Sequence, residues 1–213
     1  MKVDTRPTSL YSQGVRKKTA ADAGSAPAPG VAERILTTAS DLFYQEGVRA
    51  VGIQRVIDEA GIARASLYAH YASKDDLVAA CIEKRARAGR ETVEARLADA
   101  ALDARGKLLR LFDVQMEWIN SADFRGCPLL NAQSEIADAA HPAHAVTRTY
   151  RDWLHTLFTT LATEAGAARP DALAGALLVL YDGASASAML DQSPAAARHA
   201  REAARLLLDA HTR

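Results

Sequence analysis

The sequence predicts an all-α fold: an N-terminal three-helix domain, then a larger C-terminal helical bundle, about nine helices in all. Three observations carry this. Ala makes up 46 of the 213 residues, against 12 Gly and 7 Pro, and Ala has the highest helix propensity. Apolar residues recur at three- and four-residue spacings along most of the chain, the period of a helix with one buried face. No alternating segment is long enough to argue for a sheet.

Residues 1–30 stand apart. Gly24 to Gly30, GSAPAPG, has linker composition. Lys2, Arg6, Arg16, Lys17 and Lys18 against Asp4 and Asp22 give this segment a charge of +3. A flexible basic tail is expected, able to brush DNA or simply to solubilise. Val31 opens the first helix, with Ile35, Leu36, Ala39, Leu42 and Phe43 on one face, and Gly47 is placed to end it in a left-handed C-cap. A short second helix runs from about Ile53 to Ala60, broken by Gly61-Ile62-Ala63, and a short third runs from Arg64 to Ala69 or His70. Ser73 caps the fourth helix, with Asp76 completing a capping-box pattern. Asp75 and Asp76 oppose the positive end of its dipole. That helix extends from Lys74 to about Leu97. After Gly106, Leu108, Leu109, Phe112, Met116 and Ile119 mark a fifth. Cys127–Ile136 reads as a short helix or turn, Pro128 being tolerated in a first turn. Pro142–Glu164, Asp171–Leu190 and Pro194–His211 complete the set.

Composition excludes some functions. A chain of 22.8 kDa with 49% hydrophobic and 24% charged residues is ordinary for a globular protein, so disorder throughout is excluded. Twenty-six Lys+Arg against 26 Asp+Glu exclude a globally basic binder of polyanions, though not a local basic surface. Cys81 and Cys127 lie far apart without ligand or redox spacing, so buried thiols are expected rather than a disulfide framework. The opening MKVDTRPTSL holds no apolar run for a signal peptide. The longest apolar run, ALAGALLVLY at 172–181, is bracketed by Asp171 and Asp182 and reads as a buried helix. No membrane association and a cytoplasmic location are expected.

Ile53–Tyr71, IQRVIDEAGIARASLYAHY, carries the function. Two short helices joined at Gly61 make a helix-turn-helix. A short helix enters the major groove, about 12 Å wide, when the helix before it braces it across the backbone. Ile57, Ala60, Ile62 and Leu67 can form the small core between them, leaving Arg64, Ala65, Ser66, Tyr68 and His70 on the exposed side.

Residues 33–82 resemble the TetR family of bacterial transcriptional repressors. Ile35, Leu36, Ala39, Leu42, Phe43 and Gly47 match the first part of the family pattern. Gly61, Ile62, Leu67, Tyr68, His70, Tyr71, Ser73, Lys74, Asp75 and Leu77 match the second. The resemblance implies phosphate contacts from Tyr68 and Lys74, with His70 at the same interface. It places Arg64, Ala65 and Ser66 at the start of the recognition helix, and Gln54 and Arg55 near the adjacent backbone or bases. Arg64 suits guanine O6/N7, and Ala65 offers apolar contact. The chain departs from the pattern at Gly52 and Ala63, where Thr and Ser caps are usual. Charge gives no independent support, since residues 31–82 sum to −2. Taken singly, Tyr68 can instead be core, Arg64 a solvated charge and His70 an ordinary surface histidine.

The resemblance also implies that residues 31–76 are the DNA-binding domain and 77–213 an effector-binding and dimerising domain. The partners implied are a double-stranded palindromic operator, a small apolar or aromatic effector, and a second copy held through the last two helices. Apolar faces suited to that dimer are Ala172, Leu173, Ala176, Leu177, Leu180 and Ala184, then Ala197, Ala200, Ala204, Leu207 and Leu208. Internal core burial explains them equally. Phe112, Met116, Trp118, Ile119 and Leu130 are candidate effector-cavity walls, together with Tyr150, Trp153, Leu154 and Tyr181; most serve equally as core. Asn131, Gln133 and Glu135 are candidate polar contacts. His141, His144 and His155 lack an aligned acidic ligand and read as a surface cluster, not a metal site. No triad, phosphate-binding Gly loop or paired-carboxylate site is present, so no enzyme and no cofactor are expected. The competing reading is a helical ligand-binding or protein-interaction module without DNA binding.

Overall fold

The computed structural model describes residues 30–212, so the expected basic tail lies, but for Gly30, outside the described residues. Among the described residues nine α-helices occur: α1 (Val31–Glu46), α2 (Ile53–Ala60), α3 (Arg64–His70), α4 (Lys74–Leu97), α5 (Ala104–Ile119), α6 (Pro128–Glu135), α7 (Pro142–Glu164), α8 (Pro170–Asp191) and α9 (Ala195–His211). Extended pairing among them is limited to one isolated bridge, Ala167 to Thr212. The fold is all-α, with a helix-turn-helix in its N-terminal helices. Packing gathers the helices into two units. The head unit runs to Ala86 and includes Pro128–Thr147; the body unit holds Arg87–Cys127 and the chain from Arg148.

In the head, α2 and α3 pack on α1 and on each other. Ile35, Ala39, Phe43, Val56, Ile57 and Leu67 are buried there, whereas Ala60 and Ile62 of the expected small core are only half-buried. Gly61 takes the left-handed conformation, φ 62° and ψ 46°, and the Ile62 N–H bonds the Ile57 carbonyl at 3.2 Å. That six-to-one bond closes α2 in a Schellman turn. Gly47 differs from expectation. Its N–H caps α1 on the Phe43 carbonyl at 3.1 Å, but its φ of 97° and ψ of 149° lie outside the left-handed helical well, in a region open essentially to glycine. The chain needs that turn to leave α1 toward α2.

Ser73 caps α4 as expected. Its Oγ accepts from the Asp76 N–H at 3.0 Å and donates to the Asp76 carboxylate at 2.7 Å. The first half of α4 is clamped to α1. Lys84 Nζ donates to Thr37 Oγ1 at 2.6 Å. Buried Arg85 donates to the Ser40 carbonyl at 2.8 Å, pairs with Asp41 at 3.2 Å and lies 4.3 Å from the Tyr44 ring. A buried guanidinium is tolerable only when so satisfied. The end of α6 docks on the loop after α1: Glu135 Oε2 accepts from the Arg49 backbone N–H at 3.0 Å.

His141 and His144 are buried, which corrects the expected surface cluster. Both close the turn into α7. His141 Nδ1 accepts from the Ala143 N–H at 3.1 Å, and its Nε2 lies 3.4 Å from Asp75 Oδ1. His144 Nε2 donates to the Asp138 carbonyl at 2.9 Å. Polar side chains that replace missing backbone partners at a helix start are buried with it. His155, in the body, is half-buried beside Asp171 at 3.6 Å. No group of three metal-ligating side chains occurs among the described residues.

In the body, α5, α8 and α9 pack mutually. Leu108, Leu111, Phe112, Phe158, Leu173, Leu177 and Leu208 are its fully buried centre. The Tyr181 ring meets Phe112 and Phe158 edge-on at 5.7 and 5.9 Å. Buried Gln115 donates to the Tyr181 carbonyl at 2.5 Å and to Ser185 Oγ at 3.0 Å, so its amide is not orphaned. α5 starts at Ala104, ahead of Gly106, because Asp103 caps it by accepting from the Gly106 N–H at 2.6 Å.

The expected apolar face of α8 divides in two. Leu173, Leu177 and Ala184 are buried in the core of the chain itself, whereas Ala172 and Ala176 are exposed. The latter join Val179, Gly183 and Leu190 in an outward stripe, with Val179 70% and Leu190 77% exposed. On α9, Ala197, Ala200, Ala204 and Leu208 are core. α8 is the described helix long and apolar enough to cross a membrane by length and composition. Its buried leucines and the 2.5 Å pair of Asp182 with Arg151 make it a core helix of the body.

Candidate nucleic-acid interface

Leu67 anchors α3 in the head core, fully buried. Helical spacing then turns Arg64, Ala65, Tyr68 and His70 outward; all are exposed, and Ser66 is half-buried. Neither α2 nor α3 has a side-chain N-cap: Gly52 and Ala63 make no cap hydrogen bond. The turn at Gly61 and the packing on α1 hold them instead.

Three of the expected contact residues come together. Arg64 Nη2 donates to Gln54 Oε1 at 3.0 Å, and Gln54 Nε2 donates to Asp58 Oδ1 at 2.8 Å. The Arg64 guanidinium also stands 6.0 Å from the Tyr68 ring centre, and Tyr68 is 44% exposed. A guanidinium is the group suited to bidentate reading of a guanine edge.

Two others are not part of that array. Arg55 pairs with Glu46 at 3.5 Å and Glu59 at 3.2 Å, facing back to α1 and along its own helix. Lys74 donates to the Val48 carbonyl at 2.7 Å and lies 5.9 Å from the Phe43 ring. Burial pushes the Lys74 ammonium down from the usual lysine range, while Asp75 and Glu135 pull it back up. Asp58 and Glu135 were not singled out for these roles. Asp58 lies one helical turn from Gln54, a spacing visible in the sequence. Glu135 reaches a backbone N–H far away in the chain, which no local pattern announces.

The candidate effector residues fall in different surroundings. Phe112, Trp118, Ile119 and Leu154 are buried in the body core, with Met116, Tyr150, Trp153 and Tyr181 packed partly buried against it. Leu130, on α6 of the head unit, is 45% exposed. Both cysteines are free; Cys81 is buried and Cys127 half-buried.

Known proteins resemble this chain over both units. Residues 35–81 match the model of bacterial regulatory proteins of the tetR family, and residues 104–204 match the tetracyclin repressor-like C-terminal domain. The crystal structure of a TetR-family transcriptional regulator from Streptomyces coelicolor is 32% identical, with a TM-score of 0.81 over 86% of this chain and 96% of that one. A tetr-transcriptional regulator from Streptomyces avermitilis is likewise 32% identical, with a TM-score of 0.76 over 86% and 98%. The reduced form of NemR from E. coli shares the fold at 18% identity and a TM-score of 0.74 over 82% and 94%.

Proposed function

Since the chain belongs to the TetR family of bacterial regulatory proteins, we propose that it is a ligand-responsive transcriptional repressor that binds a palindromic operator as a homodimer. Each copy places α3 in a major groove, with Arg64 reading a guanine and Tyr68 contacting phosphate. A small, predominantly apolar effector binds the body and favours a state whose two heads no longer match the operator spacing, so the DNA is released. The dimer forms through α8 and α9. The protein acts by binding rather than catalysis, in the cytoplasm.

The Gln54–Arg64–Tyr68 array supports this reading, because it sets three of the proposed contact residues side by side on the exposed side of α2 and α3. The test is selection from random duplex DNA followed by gel shift. The expected product is a two-fold symmetric site. Arg64→Ala should cost about 1–3 kcal/mol at one base position of each half-site and relax preference there. Tyr68→Phe should weaken binding to all sequences alike. A second reading, a helical ligand-binding module without DNA binding, draws support from the internal engagement of Arg55 and Lys74. A confirmed dimer that selects no sequence establishes that second reading.

A further inference from the structure

We propose that the body unit holds a binding site for a small neutral ring compound with a single hydrogen-bonding oxygen, a phenol being the simplest, in the cavity between the end of α5 and the α8–α9 turn. This gives the ligand-responsive reading above a place and a ligand class. It rests on that reading for the consequence of binding, not for binding itself. The cavity measures about 320 Å³, within the range of small-molecule sites. Ile119, Phe124, Ala188, Met189 and Pro194 supply apolar wall. The Phe124 ring stands edge-on to Trp118 at 5.0 Å, and the Met189 thioether is a group that favours aromatic neighbours. Such a wall suits a ring.

Ser121 also lines the cavity. It is 9% exposed, and its hydroxyl is buried without a hydrogen-bond partner. Its backbone is paired on both sides: the N–H donates to the Trp118 carbonyl at 2.9 Å, and the carbonyl accepts from the Phe124 N–H at 3.2 Å. The residue is therefore fixed, and its hydroxyl is what remains to be satisfied. Buried hydroxyls are nearly always bonded. The other polar side chains of the lining are engaged by the chain itself. The Gln192 amide donates to the Met189 carbonyl at 2.7 Å, and Ser193 Oγ accepts from the Ala195 N–H at 3.3 Å. Arg125 has interactions of its own.

One open hydrogen-bonding group among apolar walls fits a ligand of the same make-up. A carboxylate or an ammonium entering this space loses hydration and finds no free counter-ion. A hydrocarbon leaves Ser121 unpaired. A water molecule takes about 30 Å³, far less than the space enclosed. A single oxygen on a ring completes Ser121 and fills the rest.

The test is calorimetric titration of the full chain, without DNA, using p-cresol, toluene, tyramine and 4-hydroxyphenylacetate. The last two carry the same phenol on a cationic and an anionic arm. p-Cresol should bind at about 1 mM or tighter, toluene about fivefold more weakly for want of one hydrogen bond, and both charged probes at least about tenfold more weakly. Ser121→Ala should bring p-cresol down to the level of toluene and leave toluene unaltered. Without ligand, its melting temperature should equal or exceed that of the parent, since an unpaired buried hydroxyl is removed. Ala188→Met should fill the cavity and abolish binding; where that variant fails to fold, Ser121→Ala decides alone. No saturation by p-cresol, equal binding of p-cresol and a charged probe, or p-cresol binding indifferent to Ser121→Ala overturns the site. So does a melting temperature lowered by Ser121→Ala, which would show the hydroxyl bonded within the fold. A gel shift of the ligand-free protein on its selected operator, run separately, reports on the DNA-binding reading.

Discussion

Gln54 lies between a carboxylate and a guanidinium, accepting from Arg64 and donating to Asp58. Which residues face outward on α3 was legible from spacing alone. The fate of the cations was not. The family resemblance leads one to expect Arg55 and Lys74 near DNA, yet one is drawn to Glu46 and the other to a carbonyl in the loop after α1. That loop's path is set by Gly47, whose conformation no periodicity encodes. Cys81 is buried, as its sequence context predicts, and burial pushes it up to about 12 from its ordinary 9.0. The sign follows. The unfolded chain releases this proton near pH 9 and the folded chain keeps it, so stability present below that pH is lost as pH climbs toward 12. At about 1.4 kcal/mol per unit, the full window is worth a few kcal/mol. The urea midpoint should therefore fall above pH 9, and fall less steeply in Cys81→Ala.

At the scale of elements, the nine helices begin and end close to the positions read from the sequence, because caps and breakers act locally. Ser73 with Asp76, and Gly61 with Ile62, are such signals. Which face of α8 is internal was harder, since that helix is apolar on both sides. Alanine and glycine on its outer stripe look the same in sequence as alanine in the core. The two head glycines should also separate by experiment. Gly61→Ala places a side chain at φ 62° with nothing within 4 Å of the new Cβ, a cost of about 1 kcal/mol. Gly47→Ala places one at φ 97°, with the Glu135 carboxylate 3.1 Å away, and should cost about 2–3 kcal/mol. Thermal unfolding of the two variants checks the order; equal melting temperatures would contradict it.

For the whole molecule, zero net charge conceals a division of labour. Much of the charge in the body is spent on its own ion pairs, Arg96 with Glu117, Arg151 with Asp182, Arg201 with Asp113 and Arg205 with Glu202. The head keeps Arg64 exposed on α3. The dimer proposed above would present α3 twice, so operator affinity would depend on assembly. Val179→Asp puts a charge on the outward stripe of α8 without touching the core, since Val179 is 70% exposed. Its helicity should match the parent while its mass in solution drops from twice to once 22.8 kDa. Operator binding should fall with it, because a single head forfeits the second half-site. A dimeric Val179→Asp protein, measured by analytical ultracentrifugation, would move the interface elsewhere.

The bond from Arg49 to Glu135 is made by a main-chain N–H, not by the arginine side chain. Any residue but proline, which has no backbone N–H, can therefore stand at position 49 without loosening the grip of α6. Positions 47 and 135 enjoy no such licence, since the carboxylate crowds the site a Cβ at 47 would occupy. Relatives that keep this turn should keep glycine at 47 whether or not an acidic residue stands at 135, because φ 97° and ψ 149° are open essentially to glycine.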